Sequence, residues 1–245
     1  MERERTLATS IYGQLRRDIL RGVFRPGEKL RIEALSDRFS VGATPLREAL
    51  NRLSAEDLVL RVDQRGFRVA PVSLDDLAEL TTTLCWISER GLREAIKNGD
   101  TAWEDGIVLA AYHLSRVPRD GVEGYRSFNP EWEQRHRDLH RAMLRACGSR
   151  WLLDFYALLV DRHDRYKYLA AAEAIERRDT AAEHRDIVAA VLARDAERAV
   201  MLANEHIRLT GEIILRSKNP HMTAGTTRAP AQSSVPIRPH RSPHA

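Results

Sequence analysis

Val41-Gly42-Ala43-Thr44-Pro45-Leu46-Arg47-Glu48-Ala49-Leu50 is the stretch from which the rest of this chain can be read. It predicts a helix that starts cleanly. Thr44 can cap it, and Pro45 suits the first helical position, where its missing N–H has no intrahelical acceptor. The helix continues through Leu46, Leu50 and Leu53. Upstream, a second helix is expected from about Ile32 to Phe39, with Ala34, Leu35, Arg38 and Phe39 marking its faces. Before it, Ile11, Leu15, Ile19 and Leu20 recur at helical spacing, and Gly22 follows as a stop. Arg25-Pro26-Gly27-Glu28-Lys29-Leu30 reads as a turn into a short extended piece. Downstream, Leu58–Val62 and Phe67–Val69 read as two strands around Asp63-Gln64-Arg65-Gly66, a glycine-containing hairpin turn.

Helix, turn, helix and then a hairpin with clustered arginines is the layout of a winged helix-turn-helix. Its second motif helix enters the major groove, and the N-terminal residues of that helix meet base edges. Here those residues are Gly42, Ala43, Thr44, Pro45 and Arg47. Arg47 can reach a guanine edge or a phosphate, and Thr44 can donate to phosphate. The hairpin wing carries Arg61, Arg65 and Arg68, and Gly66 lets the backbone approach the minor groove closely. The charge distribution agrees. The formal net charge is +4, but residues 1–70 carry 14 Lys/Arg against 10 Asp/Glu, while residues 71–217 carry 21 against 25. A basic head on an acidic body fits a nucleic-acid module carried by something else.

Beyond Pro71 the strand signal disappears. Ser73, with Asp76 three residues on, opens a long helical region, and helices are predicted at 73–98, 101–117, 129–147, 149–170, 180–194 and 196–216. The expected fold class is therefore mainly α, an N-terminal winged helix-turn-helix plus a C-terminal antiparallel all-helical bundle. The expected domains are 1–70 for DNA binding, 71–77 as linker and start of the effector domain, and 78–217 as the effector and metal-binding domain. Residues 218–245 hold no acidic residue, and five of the chain's ten prolines fall from Asn219 onward. Such a segment cannot bury enough apolar surface to offset its ordering entropy, so a disordered tail is expected. Cys85 and Cys147 fall in helical segments and read as free thiols of a cytoplasmic chain. The charged start, Met1 to Arg5, lacks an apolar signal region, and no apolar run approaches the ~20 residues of a membrane helix.

His136 and His140 lie four apart, about 40° apart on one helix face, a spacing that suits two ligands of one metal. Trp132, Leu139, Met143 and Cys147 extend the same stripe inward. His184 precedes Val188, Val191 and Leu192 on a later apolar stripe, and His206 lies in line with Ala199, Ala203, Thr210 and Ile213. Three helices each aim histidine at the core, and imidazoles there could bind zinc or nickel. A histidine-capped bundle without metal is the plainer reading of the same residues. His113 and His163 do not share the pattern.

The stretch from Arg21 to Ser73 strongly resembles the GntR-family DNA-binding domain in its FadR-like branch, across most of residues 10–70. That family usually reads V-S-R-T-P-V-R-E-A-L where this chain has Val41 to Leu50. The resemblance implies DNA contacts at Thr44, Arg47 and Gly66. Ala43 stands where the family has arginine and Gly42 where it has serine, so a bidentate guanine contact is missing and the common operator does not carry over. The later region looks like the FCD effector domain, whose metal ligands are typically an Asp and a His four apart and one His on each of two later helices. By motif these positions are His136, His140, His184 and His206, with His136 replacing the aspartate. A branch resembling the carbon-starvation-induced regulators shares this variation.

The family's members commonly hold a small carboxylate over the metal, paired by an arginine through its planar fork. That arginine corresponds to Leu84 here, and Arg135, Arg137 and Arg165 are the candidate substitutes. The resemblance implies a homodimeric, metal-dependent regulator of a double-stranded operator, most simply a repressor, with no enzymatic activity and no membrane partner. A metal-dependent hydrolase with a vestigial head is the alternative from another class. It needs a general base beside an open metal position. Glu133 and Asp138 are near in sequence, but no His-Glu-x-x-His is present.

Overall fold

The computed structural model describes residues 2–62, 65–119, 129–170, 178–217 and Met222, with side chains from Leu7 onward. In order, its elements are α1 (Glu2–Leu20), β1 (Lys29–Leu30), α2 (Ile32–Phe39), α3 (Ala43–Ala55), β2 (Val59–Val62) and β3 (Gly66–Val69). There follow α4 (Leu74–Asn98), α5 (Thr101–Ser115), α6 (Pro130–Leu144), α7 (Arg150–Leu169), α8 (Thr180–Leu192) and α9 (Ala196–Arg216), with a single 3-10 turn at Arg145–Cys147.

The head is built on the stripe Leu46, Ala49, Leu50 and Leu53 of α3, all fully buried against Ile11, Leu15 and Ile19 of α1. That i, i+3, i+4, i+7 spacing covers one helix face, and burial of that face holds a helix this short. The three strands form one antiparallel sheet in the order β1-β3-β2, with Lys29 opposite Arg68 and Leu60 opposite Arg68 on the other side. Phe67 and Val69 point into the core and Arg68 out, as strand alternation requires.

One detail differs from the sequence expectation. Helix α3 starts at Ala43 with Gly42 as N-cap, and no side chain caps it. Thr44 is the second helical residue and Pro45 the third. Pro45 still costs nothing there, because the first helical N–H groups have no intrahelical partner. Thr44 keeps its hydroxyl free for another acceptor.

The body is all helix among the described residues. All six of its described helices are opened by short polar caps: Ser73 accepts from the Asp76 amide, Asp100 from Trp103, Asn129 from Glu131, Ser149 from Leu152, Asp179 from Ala182 and Asp195 from Arg198. Its core includes Leu92, Ile107, Leu139, Met143, Leu144, Ile187 and Val191. Helix α4 packs against α9 and α7. A Cβ on Gly211 of α9 would lie 2.9 Å from the Thr81 hydroxyl, so the two backbones approach only because that residue is glycine.

A third, smaller apolar cluster joins the linker to the body: Val72, Leu77, Tyr166, Ile214 and Met222. The tail from residue 218 on lies outside the described residues except for Met222, which is buried in this cluster. Asp63 and Gln64 of the expected hairpin turn also lie outside them. No helix among the described residues is long and apolar enough to cross a membrane.

Candidate DNA-binding face and metal centre

On the head, α3 and the β2–β3 wing enclose a cleft of about 590 Å³. Arg47 and Asn51 line it from the same face of α3, one turn apart, and Arg61, Arg65 and Gly66 line it from the wing. Lys29 and Arg31 join them from the strand and turn before α2, two cations that the sequence reading did not single out. Their signal was available, since both flank the short extended piece that pairs with the wing strand. Gly66 has φ +83 and open space where a Cβ would sit, so backbone conformation and not crowding demands glycine there. Thr44 is exposed at the start of α3 but does not line the cleft. Arg68 does not line it either. Its guanidinium reaches back 3.0 Å to the Gly27 carbonyl, because its strand position faces the β1 turn.

In the body, α6, α8 and α9 deliver His136, His140, His184 and His206 to one point, with one donor atom from each lying within 4.8 Å of all the others. The Nε2 atom of His140 lies 3.1 Å from that of His136 and 3.3 Å from that of His184. An imidazole nitrogen carries either one proton or one lone pair, so one Nε2 cannot be well satisfied by two others at once. Nitrogens bound to one borderline cation at about 2.0–2.1 Å stand roughly 3.3 Å apart, so the residues present fit a metal.

The surroundings support the same chemistry. The His136 ring stacks on Trp132, centroids 4.8 Å apart and planes 12° apart. His206 donates Nδ1–H to Glu183 Oε2 at 2.8 Å, which fixes its tautomer and turns Nε2 toward the cluster. Burial and the neighbouring histidines push His136 well below its ordinary pKa. His140 is lowered to about 3, chiefly by burial, and His184 is lowered by burial and its neighbours. Burial lowers His206 as well, against the pull of Glu183. All four therefore offer neutral lone pairs. Burial alone would raise Glu183, but hydrogen bonds from His206 and Arg178 and the Arg178 charge outweigh it and hold the carboxyl at about 2.

Beside the cluster lies a cavity of about 200 Å³. His136, His140 and His206 open onto it, and so do Leu84, Tyr156 and Val160. Four of its polar groups form a relay: Lys167 Nζ sits 2.6 Å from Glu133 Oε2 and 2.8 Å from Asp164 Oδ1, and the half-buried Arg137 places Nη1 3.2 Å from Asp164 Oδ2. Of the arginines proposed to replace the one lost at Leu84, only Arg137 lines the cavity. Arg135 faces solvent beside Glu131, one turn back on its own helix. Arg165 is buried but points the other way and donates to the Ala70 carbonyl at the end of the wing. His113 is exposed. His163, set aside with it in the sequence reading, is buried and lines the cavity. So do Asp164 and Lys167, which that reading also missed, and Glu133, which it named only as a general base for the hydrolase alternative. Their spacing, with Tyr156, Val160, His163 and Lys167 on one face of α7, carries a helical stripe whose polar members read as surface until a cavity is seen.

Residues 7–69 match the family described as bacterial regulatory proteins, gntR family, and residues 79–209 match the FCD domain. The chain is 37% identical over 214 residues to BphR of Paraburkholderia xenovorans strain LB400, described as an uncharacterized HTH-type transcriptional regulator, covering 86% of each chain. It is 36% identical over 202 residues to GlaR of Escherichia coli K12, described as an HTH-type transcriptional repressor, covering 80% of this chain and 90% of that one. Among solved structures, McbR/YncC of E. coli aligns with a TM-score of 0.68 at 20% identity, over 85% of this chain and 96% of that one. A GntR regulator from Rhodococcus sp. RHA1 aligns with a TM-score of 0.66 at the same identity, over 85% and 97%. Both solved structures share the fold. The relatives and both matched domains are those of transcription regulators and not of enzymes, which removes the hydrolase alternative. The chain belongs to the GntR family and is a DNA-binding transcription regulator with an FCD domain.

Proposed function

We propose that this regulator is a homodimeric repressor whose affinity for a double-stranded operator is set by a small carboxylate, bound beside a divalent metal at His136, His140, His184 and His206. Zinc or nickel held there would supply a Lewis-acidic anchor for a carboxylate oxygen. Arg137 supplies the planar cation on the same cavity wall. The repressor sign is that of the GlaR relative. Helices α4 and α7 leave Trp86, Trp151 and Phe155 exposed, and this is the face we assign to the dimer.

The observation that carries the reading is the double role of α7. Its Tyr156, Val160, His163, Asp164 and Lys167 line the cavity. Its Arg162 and Arg165 donate to the Glu56 and Ala70 carbonyls of the head and its edge. Asp161 does both: it lines the cavity and pairs with Arg16 of α1 at 2.7 Å, and Arg16 also pairs with Glu56 at 3.0 Å. A ligand that moves α7 therefore moves the head. The coupling equals the ligand's differential affinity for the two placements.

The test starts with operator fragments enriched from genomic DNA by the purified protein and with small carboxylates screened by thermal shift on metal-loaded protein. A stabilising acid is expected to change operator affinity. Arg16→Met is expected to keep operator binding but lose most of the acid's effect on it, a coupling of about 1–3 kcal/mol. An unchanged acid effect in Arg16→Met sinks the α7 route. Absence of any retarded DNA across salt conditions sinks the regulator reading as a whole.

On the DNA face, Arg47→Ala is expected to weaken operator binding by about 1–3 kcal/mol and to relax the preference at one base pair. Lys29→Ala is expected to weaken all sequences alike and to lower the salt dependence by about one counterion. Retardation assays at several salt concentrations separate the two. Equal effects on operator and random DNA from both variants would remove Arg47 from base reading.

A further inference from the structure

Two residues that line the cavity each carry a polar atom without a hydrogen-bond partner among the described residues. Glu133 is 1% exposed, and while Oε2 is held by Lys167, its Oε1 is enclosed and unbonded. His163 is 6% exposed, and its Nε2 is likewise enclosed and unbonded. Both residues line the one cavity, Glu133 from α6 and His163 from α7. Buried polar groups in folded chains nearly always find a partner, so each such exception asks for one.

We propose that Glu133 and His163 form a second polar subsite, which receives a hydrogen-bond-donating substituent, a hydroxyl or amine, on the small carboxylate bound at the histidine cluster. The inference rests on the carboxylate reading above and names what else the ligand carries. Burial raises the Glu133 carboxyl and Lys167, 2.6 Å away, pulls it back toward ionisation; in that lysine-paired form the carboxylate only accepts. Its free oxygen therefore selects for a donor. Burial holds His163 neutral, lowered to about 4, so its Nε2 meets a hydroxyl in either tautomer and an ammonium in the tautomer whose Nε2 carries the lone pair. The cavity already supplies cations for a carboxylate, from Arg137 and from whatever metal the histidines hold. What it lacks is a partner for an acceptor. A ligand of carboxylate oxygens and methylenes alone leaves Glu133 Oε1 unpaired, and sites with an unpaired buried polar group discriminate strongly against such analogues.

Calorimetric titration of the full-length zinc-loaded protein tests this with two matched series, propionate, lactate and alanine, and succinate, malate and aspartate. In at least one series the hydroxyl- or amine-bearing acid is expected to bind about tenfold tighter than its unsubstituted parent, and the series itself says which donor is preferred. His163→Leu and Glu133→Met are each expected to bring that ratio to within twofold of one. If Glu133→Met does not fold, His163→Leu decides alone. A ratio of one in the unmodified protein, as expected if water fills both positions, overturns the subsite and leaves the carboxylate reading standing. A preference that survives His163→Leu overturns it as well. Binding of none of the six acids overturns the carboxylate reading and the subsite with it.

Discussion

The His140→Ala protein is expected to bind zinc about a hundredfold more weakly than the unmodified chain, or worse. His140 is the centre of the cluster, its Nε2 within 3.3 Å of two other imidazole nitrogens. Loss of a group that merely orients a ligand costs about 10–100-fold in metal affinity, and loss of a ligand belongs at or beyond the top of that range. The effect is readable as stability. With metal at 100 times its Kd, binding to the native state adds about 2.7 kcal/mol. A variant with a hundredfold weaker Kd gains only about 0.4 kcal/mol at the same metal concentration. Denaturant unfolding with and without zinc, on protein made without a polyhistidine tag, measures the difference. Glu183→Gln should fall between the two, because it keeps all four imidazoles and loses only the carboxylate that fixes His206. If His140→Ala retains the full zinc-dependent stabilisation, the four histidines are a hydrogen-bonded core and not a metal site.

The second large effect concerns Lys167. Its ammonium is buried between Glu133 and Asp164, and Lys167→Met leaves two enclosed carboxylates, of which Asp164 keeps its ion pair with Arg137 and Glu133 loses its own. Removing one partner of a buried pair typically costs about 3–5 kcal/mol, mostly as the penalty of the charge left behind. The pH dependence of that loss is set by Glu133. Burial already raises its pKa against the pull of Lys167, and without the lysine burial and the Asp164 charge are opposed by Arg137 but no longer by an adjacent ammonium. A carboxyl whose folded pKa exceeds its unfolded one destabilises the fold when ionised; the penalty is full above the folded value, declines as pH falls below it, and is gone below the unfolded value. The difference between Lys167→Met and the unmodified protein should therefore shrink from pH 7 to pH 5, measured on metal-free samples. A constant or growing difference would mean that packing, not charge, is what Lys167 supplies.

Much of the fold was legible because it is written locally. The α3 stripe, the Gly22 and Gly27 turns, the Ser73 cap and the Gly66 wing each follow from side chains within a few residues of one another. The helix boundaries of the body came out within a few residues for the same reason. The family resemblance placed the four histidines on equivalent positions, and the helical period showed that each lies on an inward face. The start of α3 was read two positions late, since Thr44 and Pro45 are good helix starters in isolation while Gly42 needs no side chain to serve as the cap.

The sequence by itself thus determined a basic head, an acidic helical body and which four imidazoles could meet. Only the tertiary structure decided that they do meet, that Arg165 grips the head and not the ligand, and that His163, Glu133, Asp164 and Lys167 face the cavity. The physical reason is range. Caps, turns and stripes are fixed by neighbours a turn or less away. A cavity wall is shared by α6, α7 and α9, and its polar residues look like solvated surface until the opposite wall is in place.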